Sequence, residues 1–233
     1  MKPDPDLVGE LLGLFAHDLR NPLSALQSNA SYLESTPGLD QDSLEAIADL
    51  LVACDGLAHI IDNLDVFSRS LKDAEESSGR RFTTATLIRE VGEKSQRLSQ
   101  SHGVPLAIEV PEDVGRVELG TSGDGPVRAL GNLIANSLQH APSGSTVKVS
   151  AAQRGAEVLV SVVDQGTRIE PSASAEAFSL RGQISVKASG MGRYGRGLGL
   201  FAAASSAAAA GARVEIGDGP GNHFVLVCPA ADQ

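Results

Sequence analysis

Apolar positions recur at steps of three and four near the start of the chain. Val8, Leu12, Phe15, Leu19, Leu23, Leu26, Ala30 and Leu33 form one stripe of a helix over residues 5–34. Ser35-Thr36-Pro37-Gly38 breaks it, and Asp40 caps a second helix. That helix carries Leu44, Ile47, Leu51, Cys54, Ala58, Ile61 and Leu64 on one stripe and runs to about Leu71. The polar run at 73–81, DAEESSGRR, reads as a linker. After it the period changes. Helical segments at 86–101, 127–140 and 198–210 alternate with strands at 105–110, 117–119, 146–151, 157–163, 213–216 and 223–228.

Each long helix has one apolar face, and two such faces in a lone hairpin stay partly wet. A four-helix bundle made by two chains covers them; packing of the hairpin on the downstream part is the alternative. Downstream, antiparallel strand pairs with helices between them predict one sheet covered by helices on one face. The fold class is therefore α+β: a dimerising antiparallel hairpin at 1–75, a linker at 76–81, and an α/β sandwich at 82–233.

Composition narrows the function. Of 233 residues, 42% are hydrophobic but only 3% aromatic, so the core is aliphatic and alanine-rich. Lys and Arg number 19 against 29 Asp and Glu, and 19 − 29 gives −10. An acidic chain without a basic cluster is not a nucleic-acid binder. Bound phosphates must then be held by backbone donors, a metal or a few local cations. Cys54 and Cys228 lack metal-ligand spacing and read as small apolar residues of a reducing compartment. The acidic N-terminus is no signal peptide, and no window is apolar enough to span a membrane. A soluble, cytoplasmic protein is expected.

Candidate chemistry lies in four stretches. His17 is turned off the first apolar stripe, with Asp18 beside it, Asn21 one turn on, and a costly Pro22 inside the helix. Asn132, Asn136 and His140 follow one another at i, i+4, i+8 on one helical face. An apolar strand ends in Asp164-Gln165-Gly166. Gly195, Gly197, Leu198 and Gly199 lead into the alanine-rich helix, where free N–H groups suit phosphate. Asp124 reads as a helix cap, and His59, His102 and His223 as structural or solvated.

In order and in the elements that carry them, these stretches resemble the boxes of sensor histidine kinases, across residues 5–229. The resemblance implies a cytoplasmic two-component kinase that phosphorylates itself on His17 with Mg-ATP and passes the phosphoryl group to a response-regulator aspartate. Asp18 would orient the ring and take its proton. Asn21 would orient water in a phosphatase reaction on the regulator. Asn132, Asn136 and His140 would line the ATP site, with Asn136 holding Mg²⁺. Asp164 would accept from the adenine amine, Gly166 would let the backbone approach the base, and Gly195, Gly197, Leu198 and Gly199 would face the phosphates. The implied partners are a receiver domain, a second copy of the chain through the hairpin, and a separate sensor protein, since no sensor segment precedes the first helix.

Two departures from the family pattern stand out. Arg168 replaces a small residue after Gly166 and is expected to crowd the nucleotide. The expected lid, 171–194, offers Phe178 as its one phenylalanine anchor. They leave open an alternative, a phosphotransfer or docking protein that binds regulators through a degenerate nucleotide site.

Overall fold

Asp4 opens the first helix, α1 (Pro5–Glu34), by accepting from the Asp6 amide at 3.1 Å. Asp40 does the same for α2 (Gln41–Ser70) through the Ser43 amide at 2.8 Å. The hydroxyl and amide of Ser43 hold the Asp40 carboxyl below its usual range. The computed structural model describes residues 4–71, 79–121, 123–169, 174–182 and 198–231. The chain divides into two compact units, Met1–Ala74 and Glu75–Gln233.

In the first unit α1 and α2 pair antiparallel. The residues of α1 that are buried are Gly9, Ala16, Leu23 and Ala30, a repeat of seven. Ala16 and Leu23 meet Cys54 and Ile61, and Ala30 meets Ile47 and Leu51. This departs from the expected stripe, because Phe15, Leu19, Leu26 and Leu33 are 58%, 50%, 49% and 44% exposed. The reason is close approach through small residues. The Ser68 hydroxyl donates to the Gly9 carbonyl at 2.6 Å, and a Cβ on Gly13 would stand 3.0 Å from that hydroxyl. Helices this close share a narrow seam and leave their bulkier side chains outside it. Arg20 to Asp62 (2.9 Å) and Gln27 to Asp55 (3.2 Å) fix the register across the seam.

The second unit is a five-stranded sheet backed by helices. Its strands are β1 (Leu106–Glu109), β2 (Val147–Arg154), β3 (Glu157–Val163), β4 (Arg213–Ile216) and β5 (His223–Pro229), in the order β1-β2-β3-β5-β4. Three pairings are antiparallel, but β1 runs parallel to β2, with Leu106 opposite Val147. The two expected hairpins, β2 with β3 and β4 with β5, are present, and the parallel pair of β1 with β2 adds to them. The connection from β1 to β2 carries α4 (Glu112–Gly115) and α5 (Gly125–His140), long enough for the crossover that a parallel pair requires. The expected strand at 117–119 forms only isolated bridges, Thr83 with Glu118 and Leu119 with Ala230.

Val147, Val149, Val158, Val160, Val162, Phe224 and Leu226 point from the sheet into one core. They meet Leu87, Ile88 and Val91 of α3 (Thr84–His102), Leu130, Leu133 and Ile134 of α5, and Leu200, Ala203 and Ala207 of the alanine-rich helix over Gly199–Ala209. Each fully buried aliphatic chain contributes roughly 1.5–3 kcal/mol. We label the helix over Ser174–Ala177 α6 and the alanine-rich one α7. Gly211, at φ +76°, stops α7 in a left-handed turn. Among the described residues no helix is long and apolar enough to cross a membrane.

Candidate functional site

On α1 the buried Ala16 turns its neighbour outward. The His17 side chain is 71% exposed, and its Nδ1 lies 3.3 Å from Asp18 Oδ1. Pro22 sits inside an unbroken helix. Having no N–H, it leaves the Asp18 carbonyl without its helical donor, and its ring crowds that same carbonyl. Asn21 is exposed one turn beyond His17. The ion pair from Arg20 to Asp62 ties this turn to α2, a constraint that helical periodicity alone does not show.

The second unit brings three of the sequence-predicted stretches together around α5. Asn132 is buried and spends its Nδ2 on the Arg128 carbonyl, 2.9 Å away. Its Oδ1 is buried with no partner among the described residues. A Cβ on Gly199, the first residue of α7, would stand 3.4 Å from that oxygen and fill the space before it. Asn136 is half-buried on the next turn, and His140 is exposed at the helix end.

Asp164 follows the last residue of β3 and is wholly buried. Its Oδ1 accepts from the Gly166 amide at 2.7 Å and from Asn222 Nδ2 at 3.2 Å. Its Oδ2 is buried with no partner among the described residues. A buried carboxylate oxygen left without a donor is costly unless a ligand supplies one. At Gly166 a Cβ would come within 2.6 Å of the His140 carbonyl, so only glycine lets this turn lie against the end of α5.

Several expected residues take other places. Arg168 Nη2 lies 3.9 Å from Asp218 Oδ1, in the loop between β4 and β5. Asp124 makes no cap hydrogen bond; its carboxylate pairs with Arg80 at 3.2 Å. Arg80 also pairs with Glu90, whose carboxyl Lys94 holds below its usual range, with help from Arg80. His223 is structural, lying 3.0 Å from the Asp218 carbonyl and 3.1 Å from the Ser161 hydroxyl. Phe178 is half-buried and packs on the core. Leu198 precedes α7 as its cap residue, without a side-chain hydrogen bond. Gly195 and Gly197, with most of the expected lid, lie outside the described residues.

Sequence reasoning missed Asn222. It is 4% exposed, and its carbonyl accepts from the Asp164 amide at 3.0 Å. An asparagine directly after the turn Gly219-Pro220-Gly221 was the available signal.

The donor set suits a nucleotide and its metal. Gly166 lies against His140 and Gly199 against Asn132, Asp164 offers a buried acceptor, and the amide oxygens of Asn132 and Asn136 are hard ligands of the kind that fits Mg²⁺. Among the described residues no three His, Cys, Asp or Glu side chains cluster to hold a metal.

Comparison with known proteins gives matches along most of the chain. Residues 7–72 match the His Kinase A (phospho-acceptor) domain, and residues 121–232 match the Histidine kinase-, DNA gyrase B-, and HSP90-like ATPase family. Sensor protein DivL of Caulobacter vibrioides is 28% identical over 223 residues, 94% of this chain and 27% of that protein. Sensor-like histidine kinase SenX3 of Mycobacterium bovis is 26% identical over 221 residues, 92% of this chain and 52% of that protein. The chain thus spans 27% and 52% of these two curated relatives. Full-length ShkA, solved in complex with AMPPNP, shares the fold with a TM-score of 0.63 at 24% identity, over 96% of this chain and 46% of that one.

Proposed function

The chain belongs to the sensor histidine kinase family, and on that premise we propose that it is an ATP-dependent protein histidine kinase acting on its own His17. Residues 1–75 serve as the phosphoacceptor and dimerisation hairpin, 76–81 as linker, and 82–233 as the nucleotide-binding unit. The observation that carries this is the buried Oδ2 of Asp164, which has no partner among the described residues and can accept from one N–H donor. The adenine 6-amino group is such a donor.

In this reading Asp164 holds the base, and Gly166 lets it lie close to the backbone. Asn132 and Asn136 face the phosphates, Asn136 being the Mg²⁺ ligand. His140 lines the end of the same face. The glycines of 195–199 and the start of α7 offer N–H groups to the phosphate oxygens. Bound Mg²⁺ supplies neutralisation of the phosphate charge.

At His17 the carboxylate of Asp18 holds the proton on Nδ1, leaving the Nε2 lone pair free toward solvent. Nε2 forms the new N–P bond while the bond from the γ-phosphorus to the bridging oxygen breaks and ADP leaves. Asp18 then stabilises or takes the Nδ1 proton. A receiver-domain aspartate is the next acceptor. The exposed amide of Asn21 is placed to orient water for the reverse, dephosphorylating reaction. The exposed Phe15, Leu19 and Leu26 of α1, with Leu57 and Ile60 of α2, fit a second hairpin as partner.

The test is His17→Gln. We expect no label on the variant from γ-labelled ATP, with nucleotide binding intact. Label persisting on the variant overturns the role of His17.

A further inference from the structure

The two edges of the sheet are unlike. β4 ends it on one side, and its Arg213 pairs with Glu157 at 2.6 Å and with Glu215 at 2.7 Å. Charges on an edge strand discourage the addition of another. β1 ends the sheet on the other side with Leu106, Ala107 and Ile108, and Ile108 is 44% exposed. The Val147 amide donates to the Pro105 carbonyl at 3.0 Å. In this parallel ladder the backbone groups of Ala107 therefore face β2, and those of Leu106 and Ile108 face the open edge.

Beside that edge runs a groove of about 620 Å³ between β1 and α3. Ile88, Gly92, Leu106, Ile108 and Val110 form its apolar part. Gly92 lets Ile108 lie against the helix, since a Cβ there would stand 2.7 Å from Ile108 Cδ1. Open edge groups beside an apolar groove are what an added strand uses: its backbone bonds to the edge, and alternate side chains enter the groove. Charge decides between occupants. Glu109 and Asp113 are exposed and have no ion-pair partner among the described residues. A second copy of the chain would bring the same carboxylates and a further net charge of −10. A basic strand meets them with opposite charge.

We propose that the groove between α3 and the open edge of β1 is a docking site for an extended segment of a partner protein, apolar at alternate positions and basic beside Glu109. In antiparallel pairing, the more stable kind, apolar residues stand opposite Ile108 and Leu106 with their side chains over the groove. A Lys or Arg precedes them, opposite Glu109 on the other face of the sheet.

The experiment is fluorescence anisotropy on the full chain with a labelled, end-blocked peptide, Thr-Lys-Val-Thr-Val-Thr. We expect saturable binding with a dissociation constant below about 1 mM. N-methylation of the two valines, whose N–H groups face β1, should weaken it at least about tenfold, and N-methylation of the threonine between them less than about twofold. Ile108→Pro removes one edge N–H and spares the ladder to β2, so it should abolish binding. Circular dichroism confirms folding. Glu109→Lys carries the test if the proline variant does not fold: it should weaken the peptide about threefold and tighten one with Glu in place of Lys. No saturation up to about 1 mM, equal losses from the two methylations, or no response to Glu109→Lys overturns the proposal. An assembly larger than a dimer in sedimentation, dispersed by Ile108→Pro, gives the edge to a second copy and overturns it likewise. None of these measurements involves nucleotide, so their failure leaves the kinase reading standing.

Discussion

The two units bury their apolar residues in opposite ways. In the sheet unit, side chains from β2, β3, β5, α3, α5 and α7 converge on one continuous core. In the hairpin the core is split into two small clusters along a seam of glycine, alanine and a few larger residues. Leu7, Leu11, Leu14, Phe15 and Leu19 stay exposed on α1. A sheet with helices on it closes a core by itself, whereas two helices offer each other only a line of contact. The hairpin is therefore the unit that leaves apolar surface uncovered, and the sheet unit is the one that closes its own core.

The largest effect should come from charging the hairpin's open face. Leu26→Glu with Leu57→Glu puts carboxylates where the proposed second hairpin packs. We expect the dimer dissociation constant, read by sedimentation equilibrium, to rise at least a hundredfold, about 3 kcal/mol. Nucleotide binding by the sheet unit should not change. A dimer of undiminished affinity would show that these residues lie outside the interface.

A smaller effect of opposite sign is expected inside the hairpin seam. Asn63 is buried, and neither atom of its amide has a partner among the described residues. Asn63→Leu should raise hairpin stability by about 1–3 kcal/mol in denaturant unfolding, since it removes a buried unsatisfied group. The reverse experiment in the other unit, Asp164→Leu, tests whether its orphan is of a different kind. It should abolish nucleotide binding whatever it does to stability. If Asn63→Leu destabilises instead, the amide has a partner in the assembled protein.

Acid should produce the mildest difference. Ser43 holds Asp40 below its usual value, Lys94 and Arg80 do so for Glu90, and Arg213 for Glu157. A carboxyl with a depressed folded pKa stabilises the fold fully above its unfolded pKa, near ~4, and loses that contribution as pH falls through the folded value. Stability should thus be flat from neutral pH down to about 5 and decline below about 4. The decline should be shallow, because these groups are at or near the surface. A midpoint of unfolding that begins to fall already between pH 7 and 6 would assign the transition to histidine instead.

Periodicity and punctuation carried far in this chain. The spacing of Ile47, Leu51, Cys54 and Ile61 marks the buried face of α2, and Gly155 marks the hairpin of β2 and β3, because these signals are local. The exposure of His17 follows from its angle off the buried side of α1, here the face of Ala16, since one helical turn fixes it.

What the sequence could not fix is who meets whom across the fold. It showed two apolar faces on α1 as one stripe, because Ala16 and Phe15 are neighbours and only the distance to α2 decides which is covered. It showed Asp124 as a cap, yet the nearby Arg80 takes its carboxylate. It gave no sign that Arg168 would meet Asp218, which the β4–β5 loop brings within 3.9 Å. Asn222 stands 58 residues from Asp164 and has no local signature of that partnership. Local backbone preference and hydrophobic period are written in neighbouring residues, but the satisfaction of a buried polar atom depends on chain segments that only folding brings within ~3 Å.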